Sequence, residues 1–134
     1  MVAMEGGKAS ADGPFWNEFP DRAADIFIIV GAAIAAGQMT LGWIAACLAV
    51  FVAYVRELGR ANGLEADFSG PMAKQHRMAL LTLATLLTIF EPFWQNYTGG
   101  STVLRGALYI MIAGCVITIL RRAAAQVKAL KAQN

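Results

Sequence analysis

Two carboxylates, Asp21 and Asp25, stand at the start of a long apolar stretch and are the residues best placed for chemistry. Because they are four positions apart, they would share one face of a helix, about one turn from each other. Hard divalent cations such as Mg²⁺ bind carboxylates and leave other positions to water or phosphate. In the alternative interpretation, both acids cap a helix N-terminus at the membrane surface, where Pro20 would suit the first turn. The sequence leaves both open, and a metal site would need further ligands from elsewhere in the chain.

The second group of candidates is basic. Lys74, His76 and Arg77 open the third apolar stretch, and Arg56 closes the second. These side chains could anchor membrane spans on the cytoplasmic side. Alternatively, they could form a pocket for an anionic substrate, either a molecule that accepts a transferred group or the phosphate of the molecule that donates it. Glu91 has two comparable interpretations, as an anchor on the opposite side of the membrane or as part of a proton relay.

The elements that must position these side chains are membrane helices. Of the 134 residues, 57% are hydrophobic and 15% are charged, against about 45–50% and about 25% in soluble domains. A soluble domain of this size cannot bury so much apolar surface, and disordered chains are poor in apolar residues. Cys47 and Cys115 both lie in apolar runs, so neither suggests a disulfide framework or a metal site. The composition therefore predicts an integral membrane protein.

Four apolar stretches predict an all-α, polytopic membrane helix bundle with four transmembrane helices. The thirty residues from Ile26 to Val55 include no Asp, Glu, Lys or Arg. One helix of that length would reach roughly 45 Å, beyond a hydrocarbon core of about 30 Å, so the polar break at 37–40 is interpreted as a turn. The spans are predicted at about 21–37, 41–58, 77–94 and 101–121. They form one transmembrane domain, with a cytoplasmic loop at 1–19 and a cytoplasmic tail at 122–134.

The basic residues predict the orientation of the bundle. Of the eleven Lys and Arg residues, only Arg105 falls on the side opposite to the others. By the positive-inside rule, both termini and the 59–76 loop are expected in the cytoplasm. The tail from Arg121 onward is expected to continue as a helix whose lysines face anionic headgroups.

Three segments of the chain resemble the CDP-alcohol phosphatidyltransferases. The signature of that family is D-x-x-D-G-x-x-A-R, a short spacer, then G-x-x-x-D-x-x-x-D. Segments 2–8 (VAMEGGK) and 17–25 (NEFPDRAAD) resemble it, and Asp21 and Asp25 match its last two aspartates. Segment 66–77 (ADFSGPMAKQHR) looks like a bacterial subgroup, similar to phosphatidylglycerophosphate and phosphatidylinositol-phosphate synthases. The resemblance covers essentially the whole chain, as the last four helices of a six-helix fold.

The chain also departs from this signature. The D-x-x-D-G half is missing, Met4 stands where the motif has arginine, and Asn17 stands where it has glycine. The resemblance therefore suggests that Met1 is an internal methionine, through either a misassigned start or a truncated gene. An N-terminally truncated form is expected to have little activity alone.

The resemblance implies a reaction of phospholipid biosynthesis, in which a phosphatidyl-type group moves from a CDP-alcohol to an acceptor hydroxyl and CMP is released. It implies a paired Mg²⁺ or Mn²⁺ site that includes Asp21 and Asp25, with Asp25 as the general base. The expected partners are a CDP-lipid donor, a small alcohol or phosphorylated-alcohol acceptor, membrane lipids and a second copy in a homodimer. No nucleic acid is expected. The expected location is the bacterial inner membrane, with multiple passes.

Two other classes of function stay open. A small four-span transporter would suit this length, although it would want a carboxylate well inside its first span, and Asp25 lies near the expected cytoplasmic end. The long basic loop at 59–76 is also unexpected in such a transporter. The third class is a membrane subunit without chemistry. Nucleotide binding would favour the enzyme, and proton-coupled export would favour the transporter.

Overall fold

The computed structural model describes residues 12–67, 70–93 and 99–133, and all regular structure in these ranges is helical. Four α-helices follow one another: α1 (Gly13–Ala35), α2 (Met39–Ala61), α3 (Lys74–Leu87) and α4 (Thr102–Ala132). A 3₁₀ segment, Thr88–Phe93, extends α3. The prediction of an all-α fold is therefore confirmed for the described residues. Segment 2–8 and part of segment 66–77, on which the family resemblance partly rests, lie outside them.

Two of the four helices, α2 and α4, are long and apolar enough to cross a membrane. In contrast, α1 carries charged side chains through its first half, and α3 has only 14 α-helical residues before the 3₁₀ segment begins. At about 1.5 Å per residue, the α-helical part of α3 is roughly 21 Å long, which is shorter than a hydrocarbon core of about 30 Å. Four spans therefore stay a prediction, and two helices suited to spanning are what the fold provides.

The first helix begins earlier than the predicted span. Helix α1 starts at Gly13, so Pro20 lies inside it and not in its first turn, and no acidic residue stands in that turn. Asp21 and Asp25 consequently occupy the middle of the helix. The interpretation of these acids as N-terminal caps is wrong, because the preceding aromatic segment also folds as helix.

Small residues let α1 and α2 approach closely. Ala33, Ala45 and Ala46 are fully or almost fully buried. A side chain at Gly42 would collide with the Cβ of Ala33 on the facing helix. Such small-residue contacts are the usual means of packing helices in membranes. Gly31, by contrast, is exposed and has no neighbour in reach of a Cβ.

Two glycines lie where the turn between α1 and α2 meets the segment that precedes α4. Gly37 and Gly100 have positive φ angles of 65° and 93°, which other residues rarely adopt. A Cβ on Gly100 would lie 2.5 Å from the carbonyl carbon of Ala36. The amide of Ser101 donates to the carbonyl of Ala35 at 3.0 Å. The turn after α1 is thus fastened to the chain that leads into α4.

Glu91 is buried at the same end and accepts a hydrogen bond. Its Oε1 accepts from the amide of Val103 at 2.9 Å, in the first turn of α4. Ser101 adds a second cap, since its Oγ accepts from the amide of Leu104. These contacts satisfy amides that a helix start leaves without partners. The contacts of Glu91 are those of a helix cap, which accounts for its burial without a relay.

Helix α4 runs without a break to Ala132, so the helical tail predicted after Arg121 is present as far as that residue. Its 31 residues span roughly 46 Å at about 1.5 Å per residue, well over the thickness of a hydrocarbon core. Gln126 donates to the carbonyl of Val55 at 2.8 Å. The last turns of α2 and α4 therefore stay packed together beyond the apolar part of the bundle.

Candidate functional site

Charged residues from all four helices converge at the end of the bundle opposite to the Gly37 turn. They surround a cavity of about 200 Å³, here called the charged cavity. Two acidic side chains line it, Glu18 and Asp21. Five cationic side chains also line it, and they come from all four helices: Arg22, Arg56, Lys74, Arg77 and Arg122. Several arginine and lysine side chains directed at one cavity make it suited to an anionic ligand.

The centre of this region is a buried ion pair between α1 and α3. Nη2 of Arg77 donates to Oδ2 of Asp25 at 2.7 Å, and both residues are 1% exposed. Nη1 of Arg77 donates to the carbonyl of Met72 at 3.1 Å. Arg22 approaches the same carboxylate at 3.6 Å. Asp25 thus lies directly beneath the charged cavity, with its charge balanced by arginine.

One turn away, Asp21 forms an ion pair with Lys74. The D-x-x-x-D spacing of α1 therefore faces a K-x-x-R spacing of α3, and each acid meets one cation. Both side chains of this outer pair are partly exposed, with 38% for Asp21 and 41% for Lys74. An exposed pair of this kind contributes little to stability, so Lys74 can exchange Asp21 for another anion at small cost.

Helix α2 contributes a third set of charges. Nη2 of Arg56 donates to Glu18 on α1 at 2.6 Å, and its Nε donates to Glu57 at 3.0 Å. Arg22 also lies 3.6 Å from Glu18. Arg56 is therefore held across the gap between α1 and α2, at the edge of the charged cavity.

Two guanidinium groups at the charged cavity keep an N–H group without a partner. Nε of Arg22 and Nε of Arg77 are buried and make no hydrogen bond within the described part of the chain. A buried donor without an acceptor costs about 1–3 kcal/mol. These two buried N–H groups are therefore an energetic cost that the fold carries next to the charged cavity.

The sequence singled out most of this site but missed Arg122. This residue is 3% exposed, lines the charged cavity and donates to the carbonyl of Val52 at 3.2 Å. A signal was present, because Arg122 continues the buried face of α4 at helical spacing after Cys115 and Thr118, whereas its neighbour Arg121 is exposed. Read as adjacent basic residues, Arg121 and Arg122 indicate only the end of the fourth predicted span.

Of the four basic candidates, the structure brings together Arg56, Lys74 and Arg77, together with Asp21 and Asp25. It leaves His76 aside: its side chain is exposed and does not line the charged cavity. At helical spacing, His76 points away from the face that carries Lys74 and Arg77. Gln75, which had not been singled out, lines the charged cavity instead.

Whether a divalent ion fits the charged cavity depends on which side chains there are available as metal ligands. Within the described ranges, no three His, Cys, Asp or Glu side chains come together as a metal-binding group. The carboxylate of Asp25 is engaged by Arg77, and that of Asp21 by Lys74. Two carboxylates that already have side-chain cations do not fit a paired divalent site in this arrangement. The dependence on Mg²⁺ or Mn²⁺ stays a prediction from the resemblance.

Comparisons of the chain with protein-family models, with curated proteins and with solved structures found no match. The resemblance to CDP-alcohol phosphatidyltransferases therefore depends on the sequence segments given above. The geometry of the charged cavity is an independent observation, and it bears on ligand chemistry without naming a family.

Proposed function

We propose that this protein is a phosphotransferase of the CDP-alcohol phosphatidyltransferase type and that the charged cavity binds the phosphate groups of a CDP-lipid. The observation that carries the proposal is the gathering of five cationic side chains from all four helices around a cavity at one end of an apolar helical bundle. Arginine and lysine are the usual ligands of phosphate oxygens. A lipid donor explains why this charge lies next to helices suited to a bilayer, since its chains stay in the membrane.

The side chains divide the work in this proposal. Arg22, Arg56, Lys74 and Arg122 hold the anionic headgroup. Arg77 positions Asp25, whose carboxylate accepts the proton of the acceptor hydroxyl in this proposal. The binding step itself depends only on the cations of this chain.

The test is equilibrium binding of CDP-diacylglycerol to the protein in phosphatidylcholine nanodiscs. Arg56→Gln should weaken binding about tenfold, because a hydrogen bond to a charged group contributes about 1.5–3 kcal/mol. Arg60→Gln is the matched control. Arg60 lies one turn further along α2, is exposed and does not line the charged cavity. Unchanged affinity in Arg56→Gln, or equal losses in both variants, would contradict the proposal.

Turnover separates this proposal from the transporter and the non-catalytic subunit. The sequence carries only the D-x-x-x-D half of the signature, so we expect the isolated chain to bind CDP-lipid and to release little CMP with Mg²⁺ or Mn²⁺. A chain that also carries the D-x-x-D-G half should release CMP. Proton-coupled export without nucleotide binding would instead identify the transporter. The absence of both activities would favour the non-catalytic subunit.

A further inference from the structure

An apolar groove lies on the outer surface between α1 and α2. Its volume is about 540 Å³, and its lining includes Ile26 of α1 with Trp43, Cys47, Val50 and Tyr54 of α2. Trp43 and Tyr54 are both more than half exposed, so the groove is open to the surroundings of the bundle. Polar side-chain surface is almost absent from its lining in the described part of the chain.

This apolar groove continues into the charged cavity. Between them lies a second cavity of about 290 Å³, which shares Val50 and Tyr54 with the groove. The second cavity shares Glu18, Arg22 and Ala53 with the charged cavity. The path along α1 and α2 therefore changes from apolar to charged without a gap.

The acidic residues along this path are paired with cations. Glu18 and Glu57 both line the second cavity, and both form hydrogen-bonded ion pairs with Arg56. Arg22 lines both the second cavity and the charged cavity, so a cationic side chain also stands at their junction.

The length of the groove fits one leaflet. From Trp43 to Tyr54 the helix rises roughly 16 Å, at about 1.5 Å per residue. A hydrocarbon core is about 30 Å thick, so half of it is about 15 Å. The apolar part of the path is thus as deep as a single acyl chain extends into its own leaflet.

We propose that this groove holds one acyl chain of the CDP-lipid whose headgroup lies in the charged cavity. The inference rests on the proposed function and adds the position of the lipid chain. It follows from the continuity of the groove with the cationic site and from the match between its polarity profile and that of a phospholipid. A second copy of the chain, or bulk lipid without preference, are the competing occupants.

The experiment uses Trp43 as a reporter inside the groove. In a Trp16→Phe, Trp94→Phe background, nanodiscs of phosphatidylcholine receive a low mole fraction of CDP-diacylglycerol with brominated chains, and brominated phosphatidylcholine at the same fraction serves as the reference. Bromine quenches tryptophan fluorescence at contact. We expect quenching by the CDP-lipid to saturate at about tenfold lower mole fraction, a preference that corresponds to about 1.4 kcal/mol and that one hydrogen bond to a charged group can supply.

The decisive variant is one in which a larger side chain fills the groove. Cys47 is exposed and lines the groove, so Cys47→Phe should occupy it without disturbing the core. The preference for the CDP-lipid should then disappear. Ile117→Phe is the matched control, because Ile117 is an exposed apolar residue of α4 that lies outside the groove. This control should keep the full preference.

Soluble CDP-glycerol, which has no acyl chains, separates the two proposals. The parent protein and Cys47→Phe should bind it equally. If CDP-glycerol binds but Trp43 shows no preference for the CDP-lipid, the headgroup site stands and the groove proposal is wrong. A preference that survives Cys47→Phe also overturns it, as does the absence of quenching by any brominated lipid, which would mean that a second copy covers the groove. If neither ligand binds, both proposals fail.

Discussion

At the scale of single residues, the pairing of Asp25 with Arg77 carries the largest energetic consequence. Both groups are almost completely shielded from solvent, and Arg77 is also bonded to the carbonyl of Met72. Taking either partner away leaves a buried charge without compensation, which is far more costly than the net contribution of the pair. The pair therefore acts chiefly as a constraint on how α1 and α3 meet.

Arg77→Met should lower the free energy of unfolding by about 3–5 kcal/mol, because Asp25 would remain buried and charged. Asp25→Asn added to this variant should restore a large part of the loss. Reversible unfolding in mixed detergent micelles provides the measurement. Arg60→Met, which changes an exposed arginine of α2, should cost less than about 1 kcal/mol. Equal losses for the two arginine variants would show that the buried pair has no special role.

Sequence reasoning could single out Asp21 and Asp25 because acids near an apolar stretch are rare and their spacing is helical. It could not identify their partners. Asp25 and Arg77 are separated by 52 positions, so their contact depends on how α3 packs against α1. In the described fold, Arg77 balances Asp25 and Lys74 balances Asp21, and the divalent ions that the resemblance implies stay a prediction.

At the scale of the elements, the apolar runs and the helix-breaking residues predict the approximate positions of the helices. The turn after α1 follows from Gly37, whose positive φ angle suits the end of a helix. Helix α3 gives way at Thr88 to a 3₁₀ segment that includes Pro92, a residue without a backbone donor. The start of α1 was placed too late, since the segment before Asp21 mixes aromatic and polar residues and includes Pro20. Packing of Phe15 on Phe19, with ring centroids 5.4 Å apart, accompanies the helix in this segment, and local propensity does not report such contacts.

Gly100→Ala should destabilise the protein by about 1–3 kcal/mol, because it combines a positive φ with a clash against the backbone of Ala36. Gly31→Ala is the matched control. Gly31 lies in α1 with open space around it, so alanine there should be neutral or stabilise by up to about 1 kcal/mol. Thermal unfolding in detergent gives both values. A Gly100→Ala variant as stable as the parent would contradict the tight contact between the two turns.

At the scale of the whole molecule, the separation of charge from apolar surface is the dominant feature. Cations gather at one end of the bundle, and large apolar side chains such as Phe27 and Ile110 face outward along its length. Composition alone predicted this distribution, since the chain holds more apolar residues than its interior can hide. The number of helices that cross the bilayer depends on α1 and α3, which composition could not decide.

The positive-inside rule predicts that the loop between α2 and α3 is cytoplasmic and the start of α4 is not. In a Cys47→Ser, Cys115→Ser background, Thr102→Cys should react with an impermeant maleimide added to intact cells. Asn62→Cys should react only after the membrane is opened. Both positions are exposed, so a difference reports sidedness. The reverse pattern, or labelling of both from outside, would show that the orientation is wrong.

The seam formed by Gly37, Gly100 and the Ser101–Ala35 hydrogen bond leaves the bundle with one closed end. Its contacts join backbone atoms, so they do not depend on the charges at the other end of the bundle. A rise in ionic strength that weakens the exposed ion pairs at that other end would leave this end closed.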